Sequence, residues 1–284
     1  MSEINSKLYF IQYTLKKLTG KMLSFDEIND TYLRLFTKLQ YKKTVMIAGS
    51  QGSGKSTLSL IIKKYFQKFY SKNVVILSID DFYLSSYQRK KLAKKFKTNL
   101  FETRGVPGTH NFKLLYETID QLMSKKFPVY SPTFDKVTDN TKKYKRKISK
   151  ADLIILEGWC VGSKIIDTKY LNQNINELEK NKDQNLIWRT AYNNFLDDYQ
   201  KIFNKFNYYI FIKLPNWENV INWKYKQELA LRSLSNDNKL KKRLYKFIQY
   251  YEKLSKWMSM TTPSYCNVLI SLDKNQSIKN ITYK

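Results

Sequence analysis

A mostly parallel five-stranded α/β sheet flanked by helices is the architecture to which three features of this 284-residue sequence point. Five brief aliphatic runs are separated by stretches of helical periodicity, the alternation that builds βα units. The first of those runs leads directly into a Gly-rich turn and then into a helix. Glycine and proline are scarce, 8 and 5 residues, which excludes a turn-dense β-sandwich and favours long helices joined by short loops.

Each element follows in order. Residues 1–40 read as an N-terminal extension of two amphipathic helices. The second opens with the capping-box pattern Ser24 to Glu27, ahead of apolar Ile28, Tyr32, Leu35 and Phe36. Residues 41–284 form the domain that carries the sheet. Its first strand is 44–48, followed by a helix with Leu58, Ile61, Ile62, Tyr65 and Phe66 on one stripe. The other strands are 74–79, ending in two aspartates, 153–156, ending in Glu157, 208–214, and 267–271. The stretches 85–97 and 142–150 are basic and mobile-looking, and no internal repeat is evident.

Lys and Arg number 51 against 24 Asp and Glu, a formal charge of +27, yet 42% of residues are hydrophobic, so a disordered basic tail is excluded. Such a charge raises nucleic-acid binding as a hypothesis. Arginine, the better phosphate and base-edge reader, occurs only at 34, 89, 104, 146, 189, 232 and 243; the rest is dispersed lysine, so no nucleic-acid partner is expected. Between residues 86 and 150 cations exceed acids by about twelve, a share well above that segment's share of the length. Cys160 and Cys266 lack any zinc or disulfide spacing, and no apolar run reaches the length of a membrane span or a signal-peptide core. A soluble, cytoplasmic monomer is the expectation.

Residues 49–56, Gly-Ser-Gln-Gly-Ser-Gly-Lys-Ser, fit the P-loop pattern G-x-x-x-x-G-K-[ST] completely, between a strand and a helix as the chemistry requires. This gives the fold its P-loop NTPase type. Backbone amides of Ser50, Gln51, Gly52, Ser53 and Gly54, with Lys55, Ser56 and Thr57 at the helix start, are positioned to bind ATP, and the Ser56 hydroxyl is the candidate Mg²⁺ ligand. Asp80 and Asp81 close the next strand, at the end of a parallel sheet that faces ligand. Neighbouring carboxylates on a strand face opposite ways, so at most one faces the phosphates, to take a hydroxyl proton or hold Mg²⁺ through water. Glu157, at the end of an aliphatic run and before Gly158, suits a metal-proximal strand end; a structural ion pair is the alternative. The rigid turn 104–110 holds Arg104 and the only histidine, His110, and can grip a carboxylate or hydroxyl; a histidine there is more often a local hydrogen-bonding residue, which leaves Arg104 the stronger candidate.

These residues resemble the P-loop small-molecule kinases of the uridine kinase, phosphoribulokinase and pantothenate kinase group, through Asp80-Asp81-Phe82-Tyr83. More closely, the chain is similar to plant-type D-glycerate 3-kinases and their fungal relatives. That likeness rests on residues 49–57, 80–84, 104–110, Phe134-Asp135-Lys136, 157–162, 193–196 and 223–228, and ends near Asp273. The resemblance implies ATP and Mg²⁺, Asp80 as general base, Lys55 on the transferred phosphates, and Ser56 with Glu157 at the metal. It also implies Tyr83, Arg104, His110, Asp135 and Lys136 around a small, anionic hydroxy-acid substrate, with D-glycerate first. The sequence departs from the pattern at three places. Asn111 replaces the usual aspartate and serves equally as a helix N-cap. No Gly-Asp-Arg triplet follows Lys136, which leaves the acceptor open. Lys224 replaces the arginine of the lid-like helix, with Arg232 as a substitute candidate. A uridine- or pantothenate-kinase-like enzyme on another small alcohol is therefore an alternative, and a nucleic-acid-binding P-loop ATPase or polynucleotide kinase a second.

Overall fold

The computed structural model describes residues 2–231 and 235–284. Its organising feature is strand alternation. In β1 (Thr44–Gly49), Val45 and Ile47 enter one apolar core while Met46 and Ala48 enter another, so the sheet is buried on both faces. The same split recurs in β7 (Leu153–Gly158), where Leu153 and Ile155 face one core and Ile154 and Leu156 the other. With β2 (Val74–Ser78), β8 (Tyr209–Lys213), β9 (Val268–Leu272) and β10 (Ile278–Tyr283) they form one six-stranded sheet in the order β10-β9-β8-β1-β7-β2.

The five expected strands are present and mutually parallel. The sheet is larger than expected by β10, which runs antiparallel on β9. A register shift between Ile278 and Asn280 explains why the sequence pattern hides it: the bulge places Ile278 and Ile281, three apart, against the same core, so period-two alternation fails.

One face is covered by α1 (Glu3–Thr19), α2 (Phe25–Ile28), α3 (Arg34–Leu39) and α4 (Lys55–Tyr70), which share a core. The Ser24–Glu27 capping box forms. The second expected helix is interrupted by a π-turn at Asn29–Leu33, which shifts the buried stripe: Leu33 is buried, five residues after Ile28, and Tyr32 only partly.

The other face carries α5 (Ser86–Phe96), α6 (Phe112–Met123), α7 (Thr168–Asn172), α8 (Glu177–Lys182), α9 (Ile187–Phe203) and α11 (Asn238–Thr261) among its elements, while α10 (Glu218–Leu231), which meets α11, sends Trp223 into the first core. The basic stretch 85–97 is thus an ordered helix, opened by a Ser85–Gln88 capping box and anchored by fully buried Arg89. Two short antiparallel pairs flank the sheet. β3 (Val129–Ser131) joins β6 (Arg146–Ile148), so the second basic stretch is partly strand, and β4 (Phe134–Asp135) joins β5 (Asn140–Thr141) as a hairpin.

The amino end of α9 is fixed by an ion network. Arg189, 0% exposed, donates from Nε to Asp183 Oδ2 at 2.8 Å and from Nη1 to Glu179 Oε2 at 3.4 Å; Lys253 of α11 lies 3.3 Å from the same Glu179 oxygen. This wall helix stands behind the candidate site.

Candidate active site

Because β7 lies between β1 and β2, three strand ends meet at one edge. The register aligns Ile47 of β1 with Glu157, and Glu157 with Ser78 of β2. The P-loop leaves β1, Asp80 follows β2, and Glu157 ends β7, so one topology brings the three candidate groups together. Gly52 has a left-handed φ of 77°, and a Cβ there would stand 3.0 Å from Trp223 Cβ, so the loop turns tightly beneath α10. Gln276 donates to Gly52 O at 2.7 Å, and Trp223 Nε1 to Lys274 O at 3.1 Å, tying α10 and the β9–β10 turn over the loop. Lys55, its pKa lowered by burial, donates to Ser50 O at 3.0 Å and so lies folded along the loop.

Ser56 Oγ donates to Glu157 Oε1 at 2.9 Å. Glu157 is 6% exposed, and burial raises its pKa against the pull of Lys55. Two hard oxygen donors thus converge beside the phosphate-binding loop, a set that fits Mg²⁺, which takes few protein ligands and completes its shell from phosphate and water. Glu157 thus takes the Ser56 hydroxyl directly, while Lys55 acts on it through charge.

Asp80 and Asp81 sit not on the strand but in a 3₁₀ turn, Ile79–Phe82, which still separates them. Asp80 Oδ2 accepts from Lys136 Nζ at 2.6 Å. Burial pushes its pKa up, but Lys136, with His110 and Lys55, outweighs that and holds Asp80 below the usual carboxylate range. Asp81 accepts from Phe134 N at 3.2 Å and fastens the β4–β5 hairpin; burial raises its pKa. Lys136 sits on that hairpin, so a structural aspartate positions the lysine that pairs with a candidate catalytic one. Asp135 turns away from this group, accepting from Val137 N at 2.9 Å within its own turn.

Arg104 lies over the ring of Phe134, 5.7 Å from its centroid, and pairs with Asp139, which also takes the guanidinium of Arg89. An internal carboxylate therefore occupies the cation expected to grip the substrate. His110 is 3% exposed, stacks on Tyr83 at 4.4 Å between centroids, and contacts Tyr199 Oη through Nδ1 at 2.6 Å. Tyr251 donates to Arg104 O at 3.1 Å and packs edge-on against Trp159. Asn111 caps α6, accepting from Leu114 N at 3.1 Å.

Burial lowers the His110 pKa to about 4 from an ordinary 6.5. Between those values the unfolded chain binds a proton that the folded chain refuses, so stability rises with pH across the window and is lost as pH falls. The loss should reach about 3 kcal/mol by pH 4. Denaturant titrations of the wild type and His110→Gln should converge toward acid pH; parallel curves would contradict this assignment.

Of the predicted residues, Lys55, Ser56, Asp80, Glu157 and Lys136 meet, with Tyr83, His110 and Arg104 as the adjoining wall. Lys224 is engaged with Glu228 at 2.8 Å, and Arg232 lies outside the described residues. The charge concentration at 86–150 serves the site only in part. Arg146, Lys147 and Lys150 line a groove of about 280 Å³ with Lys63 and Lys72 at the start of β2, the end opposite the P-loop. Asp139, Tyr199 and Tyr251 carry no local signal in the sequence, since their partners lie 35 to 147 residues away. Both cysteines are free and buried, and among the described residues no helix is long and apolar enough to cross a membrane.

Comparison with known proteins agrees with this geometry. The chain is 29% identical over 216 residues to an uncharacterized kinase of Schizosaccharomyces pombe, covering 72% of this chain and 76% of that one. It is 28% identical over 196 residues to the chloroplastic D-glycerate 3-kinase of Arabidopsis thaliana, covering 64% of this chain but 40% of the plant protein. The solved D-glycerate 3-kinase of Cryptococcus neoformans var. grubii shares the fold over the full length of both chains, with a TM-score of 0.70 at 18% identity. A P-loop, a parallel sheet that presents it and a family match over residues 44–189 lead to one assignment: the chain is a P-loop kinase belonging to the Phosphoribulokinase / Uridine kinase family.

Proposed function

We propose that this kinase transfers the γ-phosphoryl group of ATP to a hydroxyl of a small anionic hydroxy acid, with D-glycerate to 3-phosphoglycerate as the preferred reaction. The observation that carries the reading is the Asp80–Lys136 pair at 2.6 Å beside the P-loop: an ionised carboxylate next to cations suits a hydroxyl on an anionic molecule. The Arabidopsis D-glycerate 3-kinase supports the choice of acceptor.

In this mechanism P-loop amides and Lys55 hold the β- and γ-phosphates. The substrate hydroxyl attacks the γ-phosphorus, the bond to the bridging oxygen breaks, ADP leaves, and Asp80 takes the hydroxyl proton. Ser56 and Glu157 would hold Mg²⁺, which would supply positive charge against the phosphates. Lys55 must leave Ser50 O to reach phosphate, and that contact keeps its ammonium placed until then. Lys136 and Arg104 receive the anionic group, which competes with Asp139 for Arg104.

The Asp139 clamp, together with the aromatic wall of Tyr83, Phe134 and Tyr251, favours a second reading, a nucleoside- or pantothenate-like alcohol as acceptor. A coupled ADP-release assay over D-glycerate, nucleosides and pantothenate separates them. Glycerate-dependent release above all others is the expected result. Release with only a nucleoside or pantothenate would replace the acceptor and keep the chemistry.

A further inference from the structure

Beside Asp80 lies a polar atom with no use in the folded chain: His110 Nε2 is buried without a hydrogen-bond partner. Buried polar groups are nearly always paired, so an orphan beside a candidate base points to a missing ligand atom. Which ligand depends on whether that nitrogen carries a proton, and the opposite side of the ring decides it.

His110 Nδ1 meets Tyr199 Oη at 2.6 Å, and the same Oη accepts the Gly108 N–H at 3.2 Å. A phenol has one proton and Nδ1 can either donate or accept. If Nδ1 donated, Oη would receive two donors and its own proton would be stranded, because Tyr199 is 1% exposed. If Tyr199 donates to Nδ1, every group on that side is satisfied. The ring proton then sits on Nε2.

We propose that Tyr199 locks His110 as the Nε2–H tautomer, so that the acceptor pocket presents a buried, oriented donor that selects a substrate bearing an acceptor oxygen at that point. The tautomer follows from the protein alone; the identity of the oxygen, a carboxylate or second hydroxyl of the hydroxy acid, rests on the function proposed above.

Packing and backbone contacts keep the donor in place. Tyr83 stacks on the ring at 19° between planes, and its backbone bridges to that of His110. Asn111 N donates to Phe82 O at 2.6 Å, and Leu84 N to Thr109 O at 2.8 Å, so the chain segments bearing the two rings are laced together. Phe195 and Tyr199 share α9: a Cβ on Gly108, whose φ is 92°, would stand 2.3 Å from Phe195, so the loop can approach the helix closely enough for Gly108 N to reach Tyr199 only as glycine. Tyr199 is thus a positioning residue, and His110 the group that touches substrate.

The chain has a single histidine, which makes the test direct. In the full-length protein labelled with ¹⁵N-histidine, long-range proton–nitrogen spectra at neutral pH should show one ring with Nε2 protonated and Nδ1 bare. Tyr199→Phe should lose that single pattern and lower kcat/KM for D-glycerate by about 10- to 100-fold while leaving KM for ATP unchanged. His110→Gln, whose amide nitrogen falls near Nε2, should retain more activity than His110→Asn, whose amide falls near Nδ1. A wild-type spectrum with the proton on Nδ1 overturns the proposal, as does a Tyr199→Phe enzyme with unchanged tautomer and acceptor kinetics. If glycerate is not turned over, the function proposed above fails while the spectrum still decides the tautomer.

Discussion

Asp80→Asn should reduce turnover by about 10²- to 10⁴-fold while ATP still binds, because it removes a proton acceptor and leaves its hydrogen-bond geometry. An asparagine oxygen can still accept from Lys136, which now holds Asp80 at 2.6 Å, so the 3₁₀ turn and the hairpin that carries Lys136 stay in place. What is lost is a carboxylate whose pKa lies below the usual range and which is therefore ionised throughout the neutral region. Lys136→Met probes the same charge from the other side. Burial of Asp80 would then stand with less opposition, its pKa would rise, and the acid limb of the kcat/KM profile would move to higher pH. Asp81→Asn is the control, since that carboxylate accepts from Phe134 N and belongs to the hairpin. Single-turnover assays with tight ATP binding verified separately provide the measurement. Near-normal turnover in the Asp80 variant would remove it as base, and a larger loss at Asp81 than at Asp80 would exchange their roles.

The contrast between those two aspartates shows what sequence could reach. That neighbouring acids diverge was legible from strand geometry, although a 3₁₀ turn, not a strand, separates them. The P-loop and Glu157 were legible because each sits at the end of an aliphatic run, and the parallel order of β1, β7 and β2 then brings them together without further information. Other features failed for physical reasons. β10 is masked by its bulge, and the π-turn at Asn29–Leu33 moves the buried stripe by one residue. Lysine-rich 85–97 looked mobile because its composition is polar, yet one buried arginine, with a hydrogen bond to Leu84 O at 2.5 Å and another to Glu102 O at 2.9 Å, orders the helix. Asp139 illustrates the limit. Its two arginine partners come from α5 and the 104–110 turn, and only the folded hairpin sets it between both guanidiniums.

Arg189→Met should destabilise the fold by about 3–5 kcal/mol, the cost of leaving a buried carboxylate without its cation. Arg189 is fully buried and uses Nε and Nη1 on Asp183 and Glu179, with further bonds to the carbonyls of Gln173 at 3.0 Å and Asp183 at 2.8 Å. Methionine restores the bulk but none of those donors. Lys253 remains near Glu179 and also donates to Gln173 O at 2.6 Å, so it offsets one carboxylate and not the other. For a chain of this size the loss corresponds to a fall in Tm of roughly 10 °C. Surface pairs give the contrast: Lys201–Asp198 is exposed on both sides, and Lys201→Met should leave Tm essentially unchanged. The network matters to chemistry through α9, which carries Phe195 and Tyr199 against the 104–110 turn. At temperatures well below the new Tm, Arg189→Met should raise KM for the acceptor more than KM for ATP, since the P-loop is anchored elsewhere, on β1 and α10. An unchanged Tm would mean that the other three charged groups are stabilised independently of Arg189. Equal effects on both substrates would mean that α9 does not support the acceptor pocket selectively.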